Sequence, residues 1–160
     1  MPTRPPSPSD FDTIIEAGVL SCNEDVAWRE KVENKDHWLA ELEVLGADVP
    51  FPFMLRITAN KWIPSDYSIS LVCASVIQVR RLDVGHDHAN PSGCEYRGKI
   101  VGPHMHILTE YHEHHCAVPI TGDSSDDCQV WFERFLKETN IVFNGQWRNF
   151  PETQTKFIGW

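Results

Sequence analysis

Seven of the eight histidines fall between His86 and His115, with Arg80, Arg81, Asp83 and Asn90 among them or just before. Imidazole is scarce and titrates near neutrality, so this density points to proton transfer or metal ligation rather than to packing alone. Along an extended strand alternate side chains share a face, which pairs Arg81 with Asp83 and His104 with His106. The same period joins Arg81 and Asp83 to Ile77 and Val79, an apolar face turning charged where a core opens into a cleft. Met105 and Ile107 take the face opposite His104 and His106 as core contacts. That leaves the two imidazoles side by side on the more polar surface. If the two strands are neighbours, Arg81, Asp83, His104 and His106 converge, and His88 and Asn90 in the connecting loop fold over them.

Two chemistries fit this set. In the first, one histidine is a general base and another a general acid, an arginine holds an anion, and Asp83 orients an imidazole. Those are the parts for metal-free cleavage of RNA, with the ribose 2′-hydroxyl as internal nucleophile. Here His104, His106, Arg81 and Asp83 are catalytic, His88, Asn90 and Arg80 bind substrate, and no cofactor is needed. In the second, His-x-His on a strand joins His88, Asp83 or a cysteine to bind zinc or another transition metal. Spacing does not single out the third and fourth ligands. The competing readings are plainer: Arg80 and Arg81 as surface ion pairs, which contribute little, and His104 and His106 as hydrogen-bonded fold elements. His112, His114 and His115, in Tyr-His-Glu-His-His, read as a solvated turn. His37 and His86 stand alone.

The elements that must carry these residues follow from periodicity. Residues 1–9, rich in proline, read as a disordered lead, and residues 10–160 as one domain. Asp10 is a candidate N-cap for a short helix through Phe11, Ile14, Ile15 and Val19, ending near Gly18 or soon after. Trp28 to Val49 admits helix or strand, and the alternation of Trp38, Ala40, Leu42 and Val44 with Leu39, Glu41, Glu43 and Leu45 fits a strand slightly better than a helix. Phe51 to Trp62 and Ser68 to Val84 are β-branched and aromatic, separated by a turn at Ile63-Pro-Ser-Asp66, a hairpin pattern. Turn residues fill Gly85 to Gly102. His104 to Tyr111 reads as another strand, which Ala117 to Ile120 extends or follows. Asp123-Ser-Ser-Asp-Asp127 supplies an N-cap and first-turn carboxylates for a helix with Cys128, Trp131, Phe132, Phe135 and Leu136 inward, stopped at Asn140. Ile141 to Trp160 shows no firm pattern. The fold class is α+β: an antiparallel sheet with a short N-terminal helix and a C-terminal helix packed on one face.

Composition narrows the function classes. The chain is 160 residues long, 41% hydrophobic and carries a formal net charge of −9. A protein holding nucleic acid mainly by phosphate neutralisation is usually basic, so a nucleic-acid role here needs a local site or a partner. No run of about 18 apolar residues exists, which excludes a helical membrane span, and the N-terminus lacks the apolar core of a signal peptide. Five scattered cysteines without Cys-x-x-Cys predict reduced thiols in the cytoplasm, with Cys73 and Cys128 as core residues.

Arg81-Leu-Asp83, His88-Ala-Asn90-Pro91 and Gly102-Pro-His104-Met-His106 resemble the motifs of a small prophage-associated bacterial family of unknown function. Their order is also similar to that in the TumE family of toxins from toxin–antitoxin pairs, over Ser68 to Ile141. The resemblance implies a compact domain acting on RNA, neutralised by an antitoxin protein, with Arg81, Asp83, His88, Asn90, His104 and His106 as its site. This chain departs from the pattern in a longer loop containing Cys94 and in its acidity. The leading expectation is therefore a toxin-type, metal-independent endoribonuclease. The alternatives are a phage or prophage protein that binds and inhibits a host or defence protein, and a metal-binding hydrolase.

Overall fold

A computed structural model describes residues 5–63, 65–110, 116–121 and 127–151. Helix α1 (Pro8–Ala17) is followed by β1 (Leu20–Cys22), β2 (Arg29–Glu30), β3 (His37–Gly46), β4 (Phe53–Asn60), β5 (Tyr67–Cys73) and β6 (Ile77–Val84). Then come β7 (His88–Ala89), β8 (Lys99–Ile100), β9 (His104–Ile107), β10 (Ala117–Pro119), helix α2 (Cys128–Thr139) and β11 (Val142–Phe143). Among the described residues nine strands form one sheet in the order β10-β9-β6-β5-β4-β3-β1-β11, with β2 beside β3. Strands β7 and β8 form a separate ribbon. The sheet is antiparallel except where β1 meets β11. The architecture is the expected α+β, and among the described residues no helix is long and apolar enough to cross a membrane.

Period-two alternation does what it should in the centre of the sheet. Ala40, Leu42 and Val44 of β3 pair with Ile57, Leu55 and Phe53 of β4, and these continue into Ile69, Leu71 and Cys73 of β5. All are buried in one cluster with Phe11 and Ile15 of α1 and Trp131, Phe132, Phe135 and Leu136 of α2. Both helices therefore cover one face of the sheet. Each fully buried aromatic or aliphatic side chain contributes about 1.5–3 kcal/mol. The opposite face carries Glu41, Arg56, Ser68 and Ser70, the polar partners in the alternation.

The helix ends refine the sequence reading. Helix α1 is capped by Ser7, not Asp10, and Pro8 occupies its first turn. Asp10 instead closes a capping box: its carboxylate accepts from the Ser7 backbone N–H at 2.7 Å, while its own N–H donates to Ser7 Oγ. The helix thus begins inside the segment read as a disordered lead. Gly18 ends it in the left-handed conformation, as expected. Helix α2 is capped by Asp127 and stops at Asn140, φ 55°. The carboxylates of residues 123–126 lie outside the described residues, as do His112, His114 and His115.

Three expectations need correction. Ser68 to Val84 is two strands, because Ala74 (φ 52°) and Ser75 (φ 63°) turn the chain through left-handed backbone without glycine or asparagine. The C-terminal segment, read as patternless, adds β11 to the sheet edge and places Trp147 against Phe132, ring centroids 5.2 Å apart. Cys94 and Cys116 are not reduced thiols but a disulfide. Their 22-residue separation conceals a Cα–Cα distance of 5.5 Å, well suited to a bridge. Cys22, Cys73 and Cys128 remain free and buried, and with Cys94 and Cys116 bridged the cysteines no longer argue for a cytoplasmic location.

Candidate functional site

The site grows from a register. Strands β6 and β9 are hydrogen-bonded neighbours, with Asp83 opposite His104 and Arg81 opposite His106. Cross-strand partners share a face, so all four side chains stand in one patch. Leu82 and Met105 pair on the other face and enter the core. Strand β5 extends the patch, because Ser68 lies opposite Asp83 and Ser70 opposite Arg81.

A β-bulge decides which face this is. The pairing of β5 with β6 slips between Leu71 and Val72, where Arg80 opposes Leu71 but Gln78 opposes Val72, leaving Val79 as the extra residue. Straight alternation from Ile77 and Val79 puts Arg81 and Asp83 on the core face. The bulge reverses that. Ile77 and Val79 pack with the core, while Gln78, Arg81 and Asp83 face away from it. Arg80 takes the helix side instead, where it pairs with Asp12 of α1 and donates to the Val79 carbonyl.

Asp83 is the hub. Its Oδ1 accepts from Ser68 Oγ at 2.6 Å, and its Oδ2 lies 2.9 Å from Arg81 Nη2 and 3.0 Å from Arg81 Nε. The same oxygen is 3.1 Å from His106 Nε2 and 3.5 Å from His104 Nε2. Burial pushes this carboxyl up, but hydrogen bonds from His104, His106 and Ser68 and the Arg81 charge together hold it well below the usual carboxylate range. Nδ1 of His104 donates to the Gly102 carbonyl at 2.9 Å. Burial pushes His104 down, yet its bonds to Asp83 and to Gly102 carry it above its ordinary value. Nε2 of His106 is 3.0 Å from Arg81 Nη2, and Arg81 Nη1 donates to Gln78 Oε1 at 3.2 Å.

The imidazoles are not on an open surface, as the sequence suggested. His104 is 1% and His106 3% exposed. Their cover is the strap from Gly85 to Gly102, whose ribbon β7–β8 brings His88 over them. His88 lies 5.5 Å from His104 in a stacked arrangement and 4.6 Å from His106 edge-on, centroid to centroid. The strap leaves β6 at Gly85, φ 95°, where a Cβ would stand 2.4 Å from the Ser65 carbonyl. Arg81, with 31% of its side chain exposed, borders the solvent.

Asn90 does not face the cluster. Its Nδ2 donates to the carbonyls of Ala117 (2.8 Å) and Tyr96 (2.9 Å), and its Oδ1 accepts from the Ala117 N–H (2.8 Å). The side chain thus docks the strap onto β10 as a strand partner would, and the Cys94–Cys116 bridge fastens the same two segments. His86 pairs with Asp66 at 2.8 Å. Of the seven residues expected in the site, Arg81, Asp83, His88, His104 and His106 meet, while Asn90 and Arg80 do structural work. Ser68 and Gln78 were missed. The polar alternation Ser68, Ser70 against Tyr67, Ile69, Leu71 carried a signal for Ser68; the bulge concealed Gln78.

Two capabilities follow. His106 Nε2 sits between a guanidinium that only donates and a carboxylate that only accepts, so both its protonated and its unprotonated forms find a partner. Also, His88, His104 and His106 each offer one ring nitrogen such that the three lie within 4.8 Å of one another, a donor set suited to borderline transition metals.

Neither a curated protein nor a solved structure matches this chain significantly. Residues 22–141, which hold every strand from β2 to β10, both site strands, the strap and α2, match a family described only as being of unknown function. The chain belongs to that family, DUF6978.

Proposed function

We propose that the cluster is the active site of a metal-independent endoribonuclease of toxin type, acting in the cytoplasm and neutralised by an antitoxin protein. The observation that carries this reading is His106 Nε2, 3.0 Å from Arg81 and 3.1 Å from Asp83. A general base must take up and then release a proton without stranding a buried polar atom, and here each state has its partner in place. His106 and His104 take the 2′-hydroxyl proton and return one to the leaving 5′-oxygen as the cyclic phosphate forms. Arg81, partly exposed at the solvent border of the cluster, donates guanidinium N–H groups to the phosphate. Asp83 fixes the imidazole tautomers and Ser68 orients Asp83. Substrate enters past Arg81 and His88, so His88 keeps a positioning role. Asn90 and Arg80 have none. The motif order shared with TumE-family toxins and the association with prophages belong to this proposal as well.

Induced expression in bacteria tests it: wild type beside the His104→Ala, His106→Ala double variant and Arg81→Gln, following growth and total RNA. Growth arrest with RNA loss in the wild type, abolished in the double variant and at least about 10-fold weaker in Arg81→Gln, supports the reading. Full growth with intact RNA in all three overturns it.

A further inference from the structure

We propose that His88, His104 and His106 also form a zinc-type transition-metal site, and that metal held there silences the acid–base chemistry. The binding part stands on the three imidazoles alone; the silencing part rests on the nuclease reading above.

The three ring nitrogens already lie within 4.8 Å of one another. Nitrogen ligands about 2.0–2.1 Å from a tetrahedral ion stand about 3.4 Å apart, so the set must contract by roughly an ångström. The member able to move is His88, on a two-residue strand of a ribbon separate from the main sheet. His104 and His106 are fixed by strand pairing and burial. Each of those two already has an outer partner. His104 gives Nδ1 to the Gly102 carbonyl and holds Nε2, the nitrogen that binds, 3.5 Å from Asp83, and His106 also lies against Asp83. Metal-bound histidines use carbonyl or carboxylate partners of this kind to set tautomer and ring direction. Asp83 and Arg81 neutralise each other at 2.9 Å, so a divalent cation meets no net positive charge in the patch. Three imidazoles without thiolate suit zinc, copper or nickel better than magnesium or calcium.

The consequence for chemistry is direct. An imidazole lone pair given to a metal no longer accepts a proton. A metal on these three nitrogens also clamps the strap down over His104 and His106. Occupancy therefore switches the site off.

Zinc(II) is the probe, titrated into full-length, tag-free protein in competition with a chromophoric chelator. The wild type should bind one equivalent. His88→Ala, whose change lies on the strap rather than in the core, should bind at least about 100-fold more weakly, the upper end of what losing only an outer partner costs, and His88→Cys, which restores a ligand, should recover most of that loss. A variant with His112, His114 and His115 replaced by alanine should bind as the wild type does. Binding unchanged in His88→Ala, or lost with the 112–115 run, overturns the site. RNA cleavage is read separately on the same samples. Loss of cleavage as zinc fills the site supports silencing. Stoichiometric binding that raises cleavage keeps the site but overturns both silencing and the metal-free reading. Stoichiometric binding with no RNA cleavage at any zinc level overturns the nuclease reading alone.

Discussion

Asp83 shows how much one side chain can carry when it is 6% exposed and contacted by Ser68, Arg81, His104 and His106. Removing one member of a buried charged pair leaves the other unmatched, at a cost of about 3–5 kcal/mol. Arg81 keeps partial access to water, so Asp83→Asn should destabilise by somewhat less, about 2–3 kcal/mol. Urea unfolding near neutral pH reads this, and a loss below about 0.5 kcal/mol would mean the patch is solvated rather than buried. At this scale the sequence was informative. The spacing Arg-x-Asp and His-x-His named four of the residues that meet, because period two is a property of any extended backbone. It also named Arg80, which the pairing with Asp12 explains, and Asn90, whose donors and acceptor are spent on backbone. Residue type announces what a side chain can do. It does not announce which partner reaches it first.

At the scale of elements, two irregularities govern the site. The bulge at Val79 turns Arg81 and Asp83 from the core face to the histidine face, and sequence periodicity carries no mark of it because Val79 continues the apolar alternation begun at Ile77. The turn at Ala74 and Ser75 likewise lacks the glycine or asparagine that announces left-handed backbone. The strap is the other decisive element, held by the Cys94–Cys116 bridge, the Asn90 clamp and little regular structure. A net hydrogen bond contributes about 0.5–1.5 kcal/mol. Asn90→Ala should therefore leave global stability within about 2 kcal/mol of wild type while loosening the strap. Amide exchange by mass spectrometry is the measurement. Faster exchange confined to residues 86–102 is the expected outcome; faster exchange throughout the sheet would show that the clamp supports the whole fold.

For the whole molecule, the helices bury one face of the sheet and the functional patch occupies the other, so core and site share strands without sharing side chains. The core has its own pH signature. Burial pushes the Cys22 and Cys73 thiols up, and burial followed by the Asp127 charge pushes Cys128 up to about 12. A thiol whose pKa is raised on folding stabilises fully below its unfolded value, 9.0, and loses that contribution as pH climbs towards the folded value. Stability should thus fall above pH 9, by up to about 1.4 kcal/mol per unit for Cys128 alone. Unfolding midpoints from pH 8 to pH 11 should decline less steeply in Cys128→Ala, and parallel curves for the two proteins would rule the thiol out. The sequence by itself determined the α+β class, the inward face of α2 and the types of residue available for chemistry. Those follow from local periodicity and side-chain chemistry, which the chain carries wherever it folds. Tertiary structure alone decided that β6 lies beside β9, that a bulge aims Arg81 and Asp83 at the histidines, that Cys94 meets Cys116, and that a strap buries the imidazoles. Each of these depends on contacts between residues distant along the chain, and packing rather than local propensity sets them.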